Sequence, residues 1–489
     1  MTTTFVWLAI VIYIVIALFI AFLSRHGSHT NMDGYFLGNR KLNGFVSALS
    51  YSATTYSAFM LVGLAGLTYS GGVGALGFEL IYLIGVSLVA FFGPRFWLAG
   101  KKYGYVTPSE MLGDRYQNKM VAIVVSLTSC LFLIPYSAVQ LSGVGYLLQG
   151  VTDNAIPFTT GVLLATILAI IYSYIAGIRS VAWTDSLQAL FMVVTSTIVV
   201  FIIINRLGGF DGFFHTLETE RSELLTVPGN GYFSFTTFLG LTIPWFFFSL
   251  SNPQVSQRLF MPASLKSLRT MLMGFLAFGF IYTLVSVIWG FTASLQFPDL
   301  ANADLATPTL LSSDFVPPIL GVIVMVGIMA AAISTIDSIL LTLSSLFARD
   351  VYRNVKNNTS DQMQLRVGKL VIPVIALLAF LFAQLELNLI AVLSVASSAG
   401  LLVVVPAIIG TFFWKGGTAA GVLTSVIVGA FLVIMLEISQ VKPLGLASGI
   451  WGLLVSTILF VFVSLFTKAP EEKASEFLGY IKELLKRKP

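Results

Sequence analysis

The feature that most constrains this chain is a recurrence of apolar runs about 20 residues long, the length a helix needs to cross the hydrocarbon core of a bilayer. Thirteen are readable, near 5–24, 44–70, 73–98, 120–150, 157–177, 183–205, 233–252, 270–295, 317–347, 370–386, 388–414, 417–438 and 445–467. In lipid every backbone polar group must be satisfied within the protein, so such runs fold as spanning helices. The expected fold class is an all-α polytopic membrane protein with about 13 transmembrane helices. Composition agrees: 57% of the 489 residues are hydrophobic and 10% are charged, whereas a soluble domain carries charge on about a quarter of its residues. The first run is long and has no basic segment before it, so it reads as a span rather than a cleaved signal.

An odd number of spans puts the termini on opposite sides, and Lys and Arg decide which is which. With the C-terminus inside, 24 of the 27 basic residues fall in cytoplasmic segments, and only Arg206, Arg221 and Lys442 lie outside. The N-terminus is therefore expected outside. The net charge of +5 is then a topology signal and not a nucleic-acid footprint. The longest external segment, about 206–232, carries Asp211, Glu218, Glu220 and Glu223 and reads as a solvated cap. Beyond Pro470, Phe477, Leu478, Ile481, Leu484 and Leu485 share one face of an amphipathic helix. That helix is expected to lie on the inner leaflet, with a regulatory or partner-binding role as the alternative.

Function in such a protein shows where the chain departs from a uniform apolar helix. Seven of the nine residues Ser50–Ala58 bear a hydroxyl, and Gly63, Gly66, Gly71 and Gly72 follow. One or two hydroxyls can bond back to the previous turn; seven are better explained by a helix break lining a polar cavity, with small-residue helix packing as the alternative. A second irregular piece, Phe248–Gln254, contains Pro253, which removes a donor and disfavours helix at Asn252. Two interrupted segments five spans apart point to an inverted-repeat transporter with its site at the midplane.

Two acids fall within spans, Asp185 after Trp183-Thr184 and Asp337 within Ala330–Ser338. No Lys or Arg falls inside a span away from its ends, so their charge calls for a proton, polar side chains or a bound cation. Ser334, Thr335, Asp337 and Ser338 occupy adjacent turns, an oxygen-only cluster suited to a hard cation, and sodium fits better than a divalent ion. The alternatives stay open: a neutral hydrogen-bonded Asp337, and Asp185 as an interfacial helix cap. Glu79 stands between a wetted rim residue and a functional one. Enzyme readings fail on inventory, because three scattered His and the lone Cys130 make neither a metal cluster nor a dyad, and no phosphate-binding glycine loop is present. A channel and a transporter-like nutrient sensor remain as other classes.

At Tyr35–Arg40, the broken second span, Trp183-Thr184-Asp185 with Gln188, and Ala331–Thr335, the chain resembles the sodium:solute symporter family, the group of sodium/proline, sodium/pantothenate, bacterial monocarboxylate and sodium/glucose carriers. The resemblance implies the leucine-transporter fold. Residues 1–43 would be an extra N-terminal helix and loop, 44–206 the first five-helix repeat, 207–232 an external loop and 233–414 the second, inverted repeat. Two more helices would occupy 415–467 and a cytoplasmic tail 468–489. It further implies a sodium site from the carbonyls of Ala53, Tyr56 and Ala331 with the hydroxyls of Ser334 and Thr335. A second sodium or proton site would use Asp185, Asp337 and Ser338. The solute would contact Thr54, Thr55, Ser57, Tyr136, Gln140, Trp245, Ser249 and Asn252. Thr55 and Ser249 differ from proline carriers, and Tyr103–Pro108 with Ile134–Leu141 look most like the monocarboxylate and pantothenate branches. The function so implied is sodium-coupled uptake of a small organic acid by alternating access, with proton coupling or an amino-acid solute as alternatives. Na+ is the coupling ion, with no organic cofactor. The expected partners are the solute and membrane lipid, with no nucleic acid and no obligatory protein.

Overall fold

The computed structural model describes residues 3–23, 31–56, 59–356, 359–386 and 390–486, and only the backbone of 20–23, 175, 176, 179 and 180. The chain runs through α1 (Thr3–Leu23), α2 (Met32–Leu37), α3 (Gly44–Thr55), a π-helical piece (Phe59–Leu64), α4 (Ala65–Gly71), α5 (Val73–Tyr103), α6 (Pro108–Arg115), α7 (Lys119–Val151) and α8 (Phe158–Arg206). There follow α9 (Gly209–Glu220), α10 (Phe235–Ser251), α11 (Pro253–Ser256) with a 3₁₀ turn (Gln257–Phe260), α12 (Leu265–Gln296), α13 (Ala306–Ser312) and α14 (Pro318–Ser345). The last are α15 (Arg353–Val355), α16 (Asp361–Ala383), α17 (Ile390–Leu401), α18 (Val405–Phe413), α19 (Ala419–Ser439), α20 (Ser448–Leu465) and α21 (Glu471–Lys486). Several helices start on a side-chain cap: Asn43, Thr107, Asn118, Ser234, Ser264, Ser360 and Thr418 each accept a first-turn N–H, satisfying a donor the helix leaves free.

The structure supports the all-helical polytopic fold and, by length and apolar character, part of the thirteen expected spans. Among the described residues nine helices are long and apolar enough to cross a membrane, or ten if Gly44–Thr55 and Phe59–Gly71, bent by 50°, make one broken span. Thr3–Phe19 and Phe158–Tyr174 are apolar but shorter. Two of the expected span ends have a visible physical cause. Gly177 turns to φ 61 inside α8, a conformation that costs a residue with a Cβ, and α10 ends where Pro253 follows Asn252.

Helix α14 is the centre of the bundle, packed against α1, α3, α7, α8 and α16, and every residue from Gly327 to Ser345 is buried. Two peripheral readings change. The segment after α8 is not simply a solvated cap, since α9 and a 3₁₀ turn at Ser222–Leu225 bury Phe213, Leu217 and Leu224. Gly72, at φ 65, lets this turn approach so closely that a Cβ would run into the Leu224 carbonyl oxygen. Nor does the tail's apolar face lie free for lipid: Phe477 stacks on Tyr103 at 5.6 Å and meets Phe412 at 5.9 Å. Flanking ion pairs join Lys102 to Glu476 and Lys473 to Asp114, each at 2.7 Å.

Candidate ion and solute site

The site lies where the break after α3 and the break after α10 face α14. Helix α3 stops at Tyr56, whose N–H still bonds the Ser52 carbonyl at 2.7 Å while its backbone leaves the helix at φ −98, ψ 84. At the second break the Asn252 side chain accepts the Gln254 N–H at 2.9 Å, restarting the chain as α11. Gln254 then reaches back, its Nε2 donating to the Thr54 carbonyl at 3.3 Å. The two breaks are thus tied directly to each other.

Three of the five expected sodium ligands, Ala53, Ala331 and Thr335, are joined by hydrogen bonds. The Thr335 hydroxyl is shared between two carbonyls, Ala53 at 3.0 Å across the interface and Ala331 at 2.9 Å one turn back. Ser334, the neighbouring residue on α14, donates its hydroxyl proton to Asp185 Oδ1. That leaves the Ser334 lone pairs available to a cation. Tyr56 supplies the end of the same turn, and its ring stacks on Phe275 at 5.0 Å.

The neighbouring acids separate. Asp337 accepts from Ser173 Oγ at 3.2 Å, on the α8 segment before the Gly177 kink. Asp185 is fully buried and accepts from Ser50 Oγ at 3.1 Å. The expectation that no basic side chain serves it is overturned by Arg258, which is 4% exposed, with a guanidinium nitrogen 3.6 Å from Asp185 Oδ2. Arg258 Nη1 donates to Ser50 Oγ at 2.7 Å and Nη2 to Ser338 Oγ at 2.6 Å. Sequence reasoning missed Arg258 because it follows Pro253 in a polar stretch and reads as loop.

The expected solute contacts are all buried where they are described; Ser57 lies outside the described residues. Tyr136 packs its ring 5.7 Å from Phe248, and Gln140 follows one turn along α7. Ser249 lies beside the hydroxyls of Tyr51 and Tyr82, and Thr55 beside Tyr82. Thr54 Oγ1 approaches Ser338 Oγ at 3.4 Å. Trp245 sits among Phe59, Phe78, Tyr82 and Phe248 with ring centroids between 4.7 and 5.8 Å. Glu79 is no rim residue: it is fully buried and its Oε2 accepts the Trp245 indole N–H at 3.2 Å.

A broken helix pair facing an unbroken helix is the arrangement expected of the leucine-transporter fold. The solved structure of a Na+-coupled sialic acid symporter, in a substrate-bound outward-open state, superposes with a TM-score of 0.79 at 20% identity, covering 95% of this chain and 98% of that one. Residues 35–429 match the sodium:solute symporter family, and the chain belongs to it. A sodium/pantothenate symporter of Escherichia coli K12 is 28% identical over 484 residues, 95% of this chain and 97% of that protein. Sodium/proline symporter 2 of Staphylococcus saprophyticus is 27% identical over 506 residues, 98% of this chain and 96% of its own. Membership makes this chain a multi-pass membrane transporter and not an enzyme, with Na+ the family's coupling ion and a small molecule its cargo.

Proposed function

We propose that this protein takes up a small organic acid, a monocarboxylate or a pantothenate-like solute, by sodium-coupled symport. The observation that carries the sodium reading is the Thr335 hydroxyl shared between the Ala53 and Ala331 carbonyls, with Ser334 alongside. These are hard oxygen ligands without nitrogen or sulfur, provided by elements that separate if the bundle moves. Sodium joining α3 to α14 would hold one arrangement of the breaks. Solute would then bind between them and both would leave inward, the N-terminus outside and residues 44–206 and 233–414 acting as the two repeats. The relatives named sodium/pantothenate symporters support the acid reading. A second reading, a solute with an ammonium or hydroxyl donor, is favoured by Glu79, whose buried Oε1 has no hydrogen-bond partner among the described residues.

Uptake into proteoliposomes loaded against sodium or choline gradients, with a panel of short carboxylates, pantothenate and amino acids, tests both. Ser334→Ala should raise the half-saturating sodium concentration about tenfold, the size of one lost buried ligand contact of ~1.4 kcal/mol, and leave the ranking of solutes unchanged. Unaltered sodium dependence in that variant would remove Ser334 from the site.

A further inference from the structure

The guanidinium of Arg258 sits where a second cation would have to sit. Around it are one carboxylate, Asp185, and two hydroxyls, Ser50 and Ser338, all buried. Each hydroxyl already accepts from the guanidinium, at 2.7 and 2.6 Å. Ser50 relays that charge by donating onward to Asp185 Oδ2 at 3.1 Å. An arginine stays protonated in proteins, so it cannot give up its positive charge and stand aside as a lysine could.

We propose that Arg258 is the resident cation of the Asp185–Ser50–Ser338 cluster, so that this cluster takes no sodium and Asp185 acts only as a positioning residue for Ser334. The proposal rests on the sodium reading above and deepens it. Charge decides the matter. One carboxylate balanced by one guanidinium is neutral, and a sodium ion added to the same oxygens would bring an uncompensated positive charge beside a fixed one in a dry interior. Geometry agrees, because the Ser338 oxygen is engaged by Nη2 on one side and approached by Thr54 Oγ1 at 3.4 Å on the other. Asp185 accepts the Ser334 hydroxyl proton and so turns the Ser334 lone pairs toward the Ala53–Thr335 site. Asp337, bonded to Ser173, makes no hydrogen bond to this guanidinium among the described residues.

The number of sodium ions moved per solute, read from reversal potentials in proteoliposomes, tests this. Asp185→Asn and Ser338→Ala should lower the rate or the apparent sodium affinity yet leave that number unchanged from wild type. Arg258→Gln, which leaves Asp185 without its cation, should raise it by one, and adding Asp185→Asn to Arg258→Gln should return it. A number that falls by one in Asp185→Asn or Ser338→Ala would show that sodium binds this cluster in the wild type and would overturn the proposal. If Arg258→Gln does not fold, the two single variants on the intact arginine still decide between the outcomes. A wild type without any sodium dependence would instead overturn the symport reading beneath it.

Discussion

Two charged networks hold this molecule together at different depths, and they obey different physics. Arg258, Asp185, Ser50 and Ser338 form a dry network in the middle of the bundle, with the ion pair at 4% and 0% side-chain exposure. Lys102–Glu476 and Lys473–Asp114 form a wet one where α21 docks, with Glu476 half exposed. Two unit charges 4 Å apart attract by about 1 kcal/mol in water and about 4 kcal/mol at an effective dielectric of 20. The buried pair therefore offsets its desolvation only when complete, while the surface pairs are screened by ordinary salt. The dry network fixes a geometry beside the proposed ion site; the wet one can release a helix.

The largest effect that sharpens this contrast is expected from Arg258→Met. Leaving Asp185 buried without its partner should cost about 3–5 kcal/mol, seen as a fall in the melting temperature of the detergent-purified protein, and added salt should change that loss little. A loss that salt abolishes would place the pair in water and break the comparison.

An intermediate case lies between α12 and α13, where Asp304 accepts the Ile390 N–H at 2.9 Å. Burial pushes its carboxyl from 3.8 up to about 7, partly offset by that hydrogen bond. The folded chain thus holds this proton more tightly than the unfolded one, so the contribution is fully present below about pH 4 and is lost as pH rises to about 7. Asp304→Asn should flatten the pH dependence of the melting temperature in that window. An unchanged profile would mean that the carboxyl is not buried in solution.

The smallest effect belongs to the tail. A hydrogen bond from Lys102, then one from Tyr103, holds the Glu476 carboxyl below its usual range, so docking support is present above the ordinary pKa and lost as pH falls through the lowered one. Glu476→Gln should speed hydrogen exchange in residues 471–486 modestly at low salt and not at high salt. An effect of the same size at both salts would show that Glu476 holds the helix other than through a screened surface pair.

The sequence carried the elements whose signal is local. Pro253 after Asn252 and the hydroxyl run from Ser50 each mark their own irregularity, the Ala331–Thr335 segment carries its small and hydroxyl residues in plain view, and Ala53 and Thr335 do meet. What it hid are pairings made across the fold. Arg258 reads as loop because polar residues surround it, and only the folded bundle turns it toward Asp185, far away in the chain. Glu79 stands among apolar neighbours that say nothing of Trp245. The docking of α21 depends on where Tyr103 and Phe412 end up.

The central claim is that sodium bridges α3 and α14 at Thr335. Its most direct test compares the melting temperature of purified wild type and Thr335→Val in sodium chloride and in choline chloride, since a ligand that binds only the folded state raises it by mass action. Wild type should gain stability specifically in sodium, and the valine variant, close in shape but without the hydroxyl, should lose most of that gain. A sodium-specific rise of the same size in both proteins would contradict the account.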